Sequence, residues 1–400
     1  MRLVPLCLER TGAVPLTVDI SISDIDGDEE FLQALLPHTS RISHLSLTEY
    51  TSVDELSDDL PGFFASPMSN LTSLELEQTE EPTIPSSGAS APPLFQNVSK
   101  LELLHLTRTP IYPAVFNITS LVELKLVGYK GTLDFRSFIE FLDFNPNLEI
   151  VALDLQFAEG SVWIIPERTV SLPRLRSLGF TCDTAADARG LLSCLSLRRG
   201  IQIEIQGSRS NPCADLASFL PHAPTRLQQL LAPITTIKYQ DSPRCFQIFS
   251  SNGRLSFRSP KTLPTSHGEL KSFVTETTRE FHVDGCHNLT TPLELLPALE
   301  ALVFSGVDRF PGSLPELTRE PILCPSLKTI AFFDCKVTGE VIKELGRALA
   351  KRRDSTAARL YRVVIVNSTR PLPDFQSIRQ LQNIVPCLDV RVGNKLPDLL

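Results

Sequence analysis

The sequence contains no apolar run that approaches the roughly 20 residues a helix needs to cross a bilayer. Its first residues, Met-Arg-Leu-Val-Pro-Leu-Cys-Leu, are apolar only until Glu9. A secretory signal has an apolar stretch of about 7–15 residues and a small-residue cleavage site. We therefore predict neither a membrane span nor a signal peptide, and we expect the protein in the cytoplasm or the nucleus.

Motifs that carry known chemistry are missing as well. Neither Gly-x-Gly-x-x-Gly nor Gly-x-x-x-x-Gly-Lys-Ser/Thr occurs, so the sequence has no standard phosphate-binding loop. Neither the Gly-x-Ser-x-Gly nucleophile turn nor the His-Glu-x-x-His zinc motif occurs. We predict that the protein is not an enzyme, with no catalytic residue, no cofactor-binding residue and no cofactor.

A basic excess is also lacking. Lys and Arg together number 38 and Asp and Glu 46, which gives a net charge of −8. Proteins that bind nucleic acid use a basic surface to displace counterions from the phosphates. The charge balance therefore predicts that neither nucleic acid nor an anionic membrane is a partner.

Cysteine and histidine give little indication of a metal site. The nine cysteines are odd in number and form no Cys-x-x-Cys pair, which is typical of buried thiols in a reducing compartment. The densest polar cluster contains His282, Cys286 and His287, which are possible zinc ligands. Since the sequence has no second ligand cluster at a recognisable spacing, we predict no metal site. The preferred interpretation is a strand over Phe281–Val283 followed by a turn.

What the sequence has is a repeat. The pattern apolar-x-x-apolar-x-apolar recurs with intervals of 29, 30, 20, 27 and 27 residues between successive starts. Leucine-rich repeats run about 20–29 residues, so nearly every one of these intervals fits that class. The six copies start at Ile42, Leu71, Leu101, Leu121, Leu148 and Leu175.

The repeat predicts one short strand in each copy. Its last two apolar residues are two positions apart and share one face of a strand, while the residue between them faces the other way. Parallel stacking of such strands buries a row of leucines that a single repeat cannot bury alone. The residues predicted to face outward, on a concave surface, are Ser46, Glu75, His105, Lys125, Ala152 and Gly179.

Segments between the strands show helical spacing. We predict helices over 134–142, over 185–197 with Asp183 or Thr184 as N-cap, and over 337–351 with Thr338 as N-cap. The basic run 351–353 would complete the C-terminal end of the last helix, and a nuclear signal is the alternative. The predicted fold is an α/β leucine-rich-repeat solenoid. A curved parallel sheet forms its concave face, and helices and irregular segments form its convex face.

Beyond residue 200 the motif weakens but continues. Alternation predicts a strand over Ile201–Ile205, the motif returns at 234–239, 299–304, 327–332 and 360–365, and further strands are expected within 246–257. We therefore predict a single domain over 1–400 and mobile insertions at 77–93 and 207–212. The domain comprises an entry segment over 1–40, well-formed repeats over 41–206, degenerate repeats over 207–366 and a C-terminal cap over 367–400.

Several phrases resemble the F-box/leucine-rich-repeat proteins of mushroom-forming fungi. They occur in the family's order, and each is short and leucine-rich. They are Leu8-Glu-Arg-Thr-Gly-Ala-Val-Pro-Leu16, Met68-Ser-Asn-Leu71-Thr-Ser-Leu74-Glu-Leu76, Phe138 to Glu149 around Asn145-Pro146, Leu172-Pro-Arg-Leu175-Arg-Ser-Leu178, Asp334-Cys335, and Val385 to Arg391.

The resemblance implies a substrate receptor of a Skp1–cullin–F-box ubiquitin ligase. The repeats would hold an unknown target protein on the concave face, and the F-box would bind the Skp1 adaptor. The helical F-box expected before Leu8 is absent from this sequence. We therefore expect Skp1 binding only if an F-box exists upstream. The alternative is a free-standing leucine-rich-repeat scaffold with no link to ubiquitin.

Overall fold

The chain divides into two compact units, Met1–Ile203 and Glu204–Leu400, in a computed structural model. Each unit is described by itself. The structure describes residues 3–21, 33–50, 63, 66–78, 98–109, 115, 117–133, 135–157, 169–182, 184–207, 234–241, 244–250, 253–259, 277–284, 293–307, 323–353, 360–367, 372–373 and 375–393.

The first unit is built on parallel strands. In chain order these are β1 (Leu16–Ser21), β2 (Ile42–Tyr50), β3 (Ser73–Gln78), β4 (Leu103–Thr107), β5 (Glu123–Leu133), β6 (Ile150–Phe157) and β8 (Ser177–Cys182). Each pairs in parallel with the next. The short strands β7 (Val170–Ser171) and β9 (Leu195–Ser196) pair with each other, and β10 (Ile201–Gly207) crosses the boundary between the units.

Two rows of apolar side chains stack across this ladder. The register places equivalent residues of successive repeats side by side, and all of them are buried. Burying a leucine side chain stabilises the folded chain by roughly 1.5–3 kcal/mol, so these rows hold the repeats together. The first row is Leu45, Leu74, Leu104, Leu124, Val151 and Leu178, and the second is Leu47, Leu76, Leu106, Leu126, Leu153 and Phe180.

The first leucine of each motif closes the turn that enters the strand. The amides of Leu71, Leu101 and Leu175 each donate to the carbonyl three residues earlier, at 3.0–3.2 Å. The next residue of each motif donates its amide to the preceding repeat, as Glu102 does to Thr72 at 2.8 Å. These bonds satisfy backbone groups that would otherwise be unpaired between repeats.

The helices of the first unit are short. They are α1 (Leu3–Arg10), α2 (Phe135–Phe144) and α3 (Ala185–Cys194), with a 3-10 helix at Leu36–Arg41. The predicted helices at 134–142 and 185–197 are confirmed, the latter ending earlier because β9 begins at Leu195. Thr184 is its N-cap, since its hydroxyl accepts the Asp187 amide at 3.2 Å. The sequence did not predict α1.

The second unit also contains a ladder of parallel strands, and it adds an antiparallel segment. Its strands are β11 (Ile234–Asp241), β12 (Arg244–Ser250), β13 (Gly253–Ser259), β14 (Glu280–Asp284), β15 (Ala301–Ser305), β16 (Thr329–Phe333), β17 (Arg362–Asn367) and β18 (Cys387–Val392). Strand β11 pairs in parallel with β14, and β14 to β18 form a parallel ladder. Strands β11, β12 and β13 form an antiparallel meander, which the sequence did not predict.

Two helices of the second unit pack near the last strands. They are α4 (Gly339–Arg353) and α5 (Phe375–Gln382). The predicted helix over 337–351 is confirmed, and the Thr338 hydroxyl accepts the Val341 amide at 3.4 Å as an N-cap. The sequence did not predict α5. Among the helices within the described residues, none is long and apolar enough to span a membrane.

The fold class predicted from the repeat is confirmed: each unit is an α/β leucine-rich-repeat structure whose strands are mostly parallel. The strands predicted at Ile201–Ile205 and within 246–257 are confirmed too. Most of the predicted insertion at 77–93 and nearly all of that at 207–212 lie outside the described residues. The single-domain interpretation and its internal boundaries stay predictions.

Candidate functional site

The face of the first unit opposite the leucine rows is polar. We call it the outward face; it corresponds to the concave surface predicted from the sequence. The ladder register aligns its central row as Asp19, Ser46, Glu75, His105, Lys125, Ala152 and Gly179. None of these residues is buried. The predicted orientation of Ser46 to Gly179 is confirmed, because the two-residue period of a strand puts them opposite the buried leucines.

Four charged side chains join across the middle of this face. We call Glu75, His105, Glu123 and Lys125 the outward ion chain. His105 Nδ1 lies 3.1 Å from Glu75 Oε1, and His105 Nε2 lies 2.9 Å from Glu123 Oε1. Lys125 Nζ lies 2.5 Å from the same Glu123 oxygen. Strands β3, β4 and β5 each contribute, so the chain of contacts crosses the repeats.

Glu123 is the centre of these contacts. His105 Nε2 and Lys125 Nζ both meet its Oε1 atom. Burial disfavours the charged carboxylate of Glu123, but the hydrogen bonds and charges of Lys125 and His105 outweigh this effect and lower its pKa. These two neighbours therefore favour the ionised carboxylate of Glu123.

Charge on the outward face is predominantly negative. Its acids belong to β1, β3, β5 and β6, and β5 also contributes Lys125. The end members Glu75 and Lys125 are each 41% exposed at the side chain, so both reach solvent. A binding partner with basic groups would meet this charge directly. The acids are Asp19, Glu75, Glu77, Glu123 and Asp154.

The same face of the second unit is different. Its central row includes Val303, Ala331 and Val364, aligned across β15, β16 and β17. These side chains are 0% exposed and form an apolar cluster with Ala301 and Val366. The cluster is therefore already covered, so this part of the predicted concave surface is not open to a partner. Continuous apolar strands such as Ala-Leu-Val-Phe are typical of sheets buried on both faces.

Charged groups flank this apolar cluster. Asp389 of β18 meets Arg391 and, at 3.5 Å, Arg362 of β17. The hydrogen bond from Arg391 is the main cause of the lowered pKa of Asp389. At the strand entries, Glu300 lies between Lys328 Nζ, at 2.8 Å, and Arg279. The hydrogen bond from Lys328, assisted by Arg279, lowers the pKa of Glu300.

Of the three potential metal ligands considered from the sequence, the structure describes His282. His282 lies on β14, where its Nε2 contacts Glu280 of the same strand. Cys286 and His287 lie outside the described residues. No group of three or more His, Cys, Asp or Glu with metal-binding geometry occurs in the described part of the chain.

The basic run 351–353 lies at the C-terminal end of α4, as predicted, but one of its side chains is buried. Arg352 is 2% exposed, and its guanidinium donates to the carbonyls of Leu323 at 3.0 Å and Cys324 at 2.8 Å. Burial lowers the pKa of Arg352. A side chain held in this way is not available to a nuclear signal in the folded chain, and its contact with the loop at Leu323 and Cys324 was not predicted. The run's position in the sequence gave no signal for this burial.

Comparison with known proteins adds little to these observations. No family model matches the chain, and no curated protein matches it. A solved leucine-rich-repeat protein of Leptospira interrogans is 13% identical, with a TM-score of 0.36 over 91% of this chain and 86% of that one. The fold assignment follows from the parallel ladder and buried leucine rows of the chain itself.

Proposed function

We propose that this chain is a protein-binding module whose first unit carries the contact surface. The observation behind the proposal is the contrast between the two outward faces. In the first unit this face is polar, partly exposed and charged, whereas the equivalent face over β15 to β17 is apolar and covered.

The chemistry of the outward face favours a partner with basic side chains. Glu75 reaches solvent at one end of the outward ion chain, with Glu77 exposed on the same strand. The parallel ladder fixes the position of the strand that carries these two glutamates between its neighbours. Electrostatic complementarity of this kind speeds association and selects among partners.

A charge-reversal experiment tests the proposal. Tagged full-length chain would be cross-linked in an extract, and captured proteins would be compared between the wild type and the double variant Glu75→Lys with Glu77→Lys. We expect a partner that the wild type captures and the double variant loses. The matched control is Glu102→Lys with Glu140→Lys, which makes the same charge change at exposed positions on a turn and a helix.

The control variant distinguishes binding through the outward face from an effect of net charge. Loss of the partner in both double variants would point to net charge alone, and retention in both would exclude the outward face of the first unit as the contact surface. Circular dichroism of each variant would verify that the fold is unchanged.

A finer role within this proposal is that of a substrate receptor of an F-box-type ubiquitin ligase. Its support is the order of the family phrases in the sequence, from Leu8 to Arg391. The alternative is a free-standing scaffold in the cytoplasm or nucleus. Co-purification from a fungal extract separates the two: Skp1 and cullin in the eluate favour the receptor, and a different partner without them favours the scaffold.

A further inference from the structure

A groove of about 550 Å³ runs between α4 and α5 of the second unit. Its apolar part consists of Ile342, Gly346 and Ala350 of α4 together with Ile384, which follows α5. Ile384 is 46% exposed, a large fraction for an isoleucine that borders a recess. The groove thus offers apolar surface to solvent beside two helices.

Gly346 lets Ile384 approach α4 closely at one end of this groove. A Cβ atom built on Gly346 would lie 3.2 Å from Ile384 Cδ1, closer than ordinary van der Waals contact. A larger side chain at position 346 would therefore displace Ile384 and change the shape of the groove. Glycine is unfavourable in a helix interior by about 1 kcal/mol relative to alanine, and here it accompanies this close approach.

Cations and amides line the rest of the groove. Lys343 and Arg347 of α4 are exposed, and neither has an ion-pair partner among the described residues. Gln380 and Asn383 supply amide groups that both donate and accept hydrogen bonds. Among the described residues no acidic side chain lines the groove, although the whole chain carries a net charge of −8.

We propose that the groove between α4 and α5 binds an acidic peptide segment of a partner protein that carries an apolar anchor residue. The anchor packs against the exposed side of Ile384 and against Ala350. Carboxylates of the segment pair with Lys343 and Arg347, and its backbone bonds to the amides of Gln380 and Asn383. This chemistry is opposite to that of the outward face of the first unit, and the two sites stand independently.

A peptide fits the groove better than a lipid surface does. The apolar floor is recessed between helices, whereas a membrane presents a broad surface that would first meet exposed helix sides. Side-chain amides next to the floor match the alternating donors and acceptors of a peptide backbone. Helix-pair grooves with apolar floors are a recurring mode of peptide recognition.

Fluorescence anisotropy with the full-length chain tests the proposal. The probe is a fluorescein-labelled peptide with the repeating sequence Asp-Glu-Leu-Leu, and the comparison peptides replace its acids by lysine or its leucines by serine. We expect saturable binding of the acidic leucine peptide and none of the acidic serine peptide, whereas any binding of the lysine peptide belongs to the outward face of the first unit and is not weakened by groove variants. The double variant Lys343→Glu with Arg347→Glu is expected to weaken binding of the acidic leucine peptide by roughly tenfold or more, because like charges then face each other.

Two further variants make the test specific. Ile384→Ser removes the apolar wall and is expected to weaken binding, while Arg379→Glu reverses an exposed charge of α5 outside the groove and is expected to leave it unchanged. The proposal is overturned by equal loss in Arg379→Glu, by acidic-peptide binding that the Lys343→Glu, Arg347→Glu double variant does not weaken, or by no saturable binding of the acidic leucine peptide. Binding to phosphatidylserine vesicles in place of the peptide would also overturn it and assign the groove to lipid.

Discussion

At the scale of single residues, Asn145 shows how a polar side chain holds a repeat together. It is 0% exposed, yet all its polar atoms are paired. Its Nδ2 donates to the carbonyls of Ile118 at 2.8 Å and Phe141 at 2.9 Å, and its Oδ1 accepts the Leu121 amide at 3.1 Å. One amide thus joins the end of α2 to the turn of the preceding repeat.

Replacing Asn145 by alanine is expected to destabilise the chain by about 3 kcal/mol, since three buried backbone groups lose their partner. Urea denaturation followed by circular dichroism would measure the loss. Asn147→Ala is the matched control, because Asn147 is exposed two residues away. Equal stability of the two variants would contradict the role assigned to Asn145.

Arg352 anchors the second unit in a comparable way. Its two bonds reach the carbonyls of Leu323 and Cys324, and Cys324 has a left-handed backbone with a φ of 49°. A non-glycine residue in that conformation needs support from its surroundings. The buried guanidinium supplies this support to the loop that enters β16.

We expect Arg352→Met to lower the free energy of unfolding by about 2 kcal/mol or more, because it leaves two buried carbonyls unpaired. Arg352→Lys should lie between the variant and the wild type, since an ammonium group lacks the planar fork that reaches both carbonyls. Lys351→Met, at an exposed neighbour, is the control. Urea and thermal denaturation would rank the stabilities of the wild type and these variants. An unchanged free energy of unfolding in Arg352→Met would show that the loop at Leu323 and Cys324 does not depend on Arg352.

At the scale of elements, four equivalent positions in the repeats share a left-handed backbone conformation. Arg108, Gly128, Gly306 and Asp334 each follow an equivalent strand position and each has a φ between 47° and 69°. This geometry turns the amide toward the next repeat: that of Gly306 donates to the Phe333 carbonyl at 3.0 Å. The ladder therefore gains one more hydrogen bond beyond the strand.

Gly306→Ala is expected to destabilise the second unit by about 1–2 kcal/mol through the left-handed backbone alone. A further loss comes from the new Cβ, which would lie 2.9 Å from Asp284 Oδ1. A double-mutant cycle with Asp284→Ala separates the two effects. The cost of Gly306→Ala should fall when Asp284 is alanine, and an unchanged cost would mean that the carboxylate simply moves aside.

The spacing of apolar residues predicts most strands of the fold but not every strand direction or helix. Leucine spacing predicts the strands of the first unit, because each apolar pair must face a common core. The antiparallel direction of β12 and the helix α5 were not predicted. Two alternating strands joined by Ser-Asn do not reveal which neighbour each will choose, and α5 has only Ile378 and Leu381 as its inward apolar residues. Pairing partners depend on tertiary context.

At the scale of the whole molecule, strand periodicity predicts which residues share the outward face, but it does not predict which of them are buried. The row from Ser46 to Gly179 follows from strand periodicity and was predicted correctly. The burial of Val303, Ala331 and Val364 comes from packing between β15, β16 and β17, which the pattern within one strand does not specify. The burial of Arg352 and the groove beside Gly346 likewise depend on contacts between segments far apart in the sequence.

Paired carboxylates make the stability of the whole chain depend on pH. The pKa values of Glu123, Glu300 and Asp389 are lowered in the folded state by cationic neighbours. Their unfolded forms take up protons at higher pH than the folded forms do. The stabilisation is therefore complete above the unfolded pKa of about 4 and is lost as the pH falls through the folded values.

We expect the free energy of unfolding, measured by urea denaturation, to fall between pH 6 and pH 3, by at most about 1 kcal/mol for each such carboxylate, as is typical of exposed pairs. Glu300→Gln should flatten this acid limb, since it removes one of the three groups. Asp284 acts in the opposite sense, because burial raises its pKa and its ionisation destabilises the folded chain as the pH rises. Asp284→Asn should therefore raise the midpoint at pH 7 and lose that advantage near pH 3. A midpoint that rises on acidification, or the same pH profile for both variants, would show that these carboxylates do not control the stability of the fold.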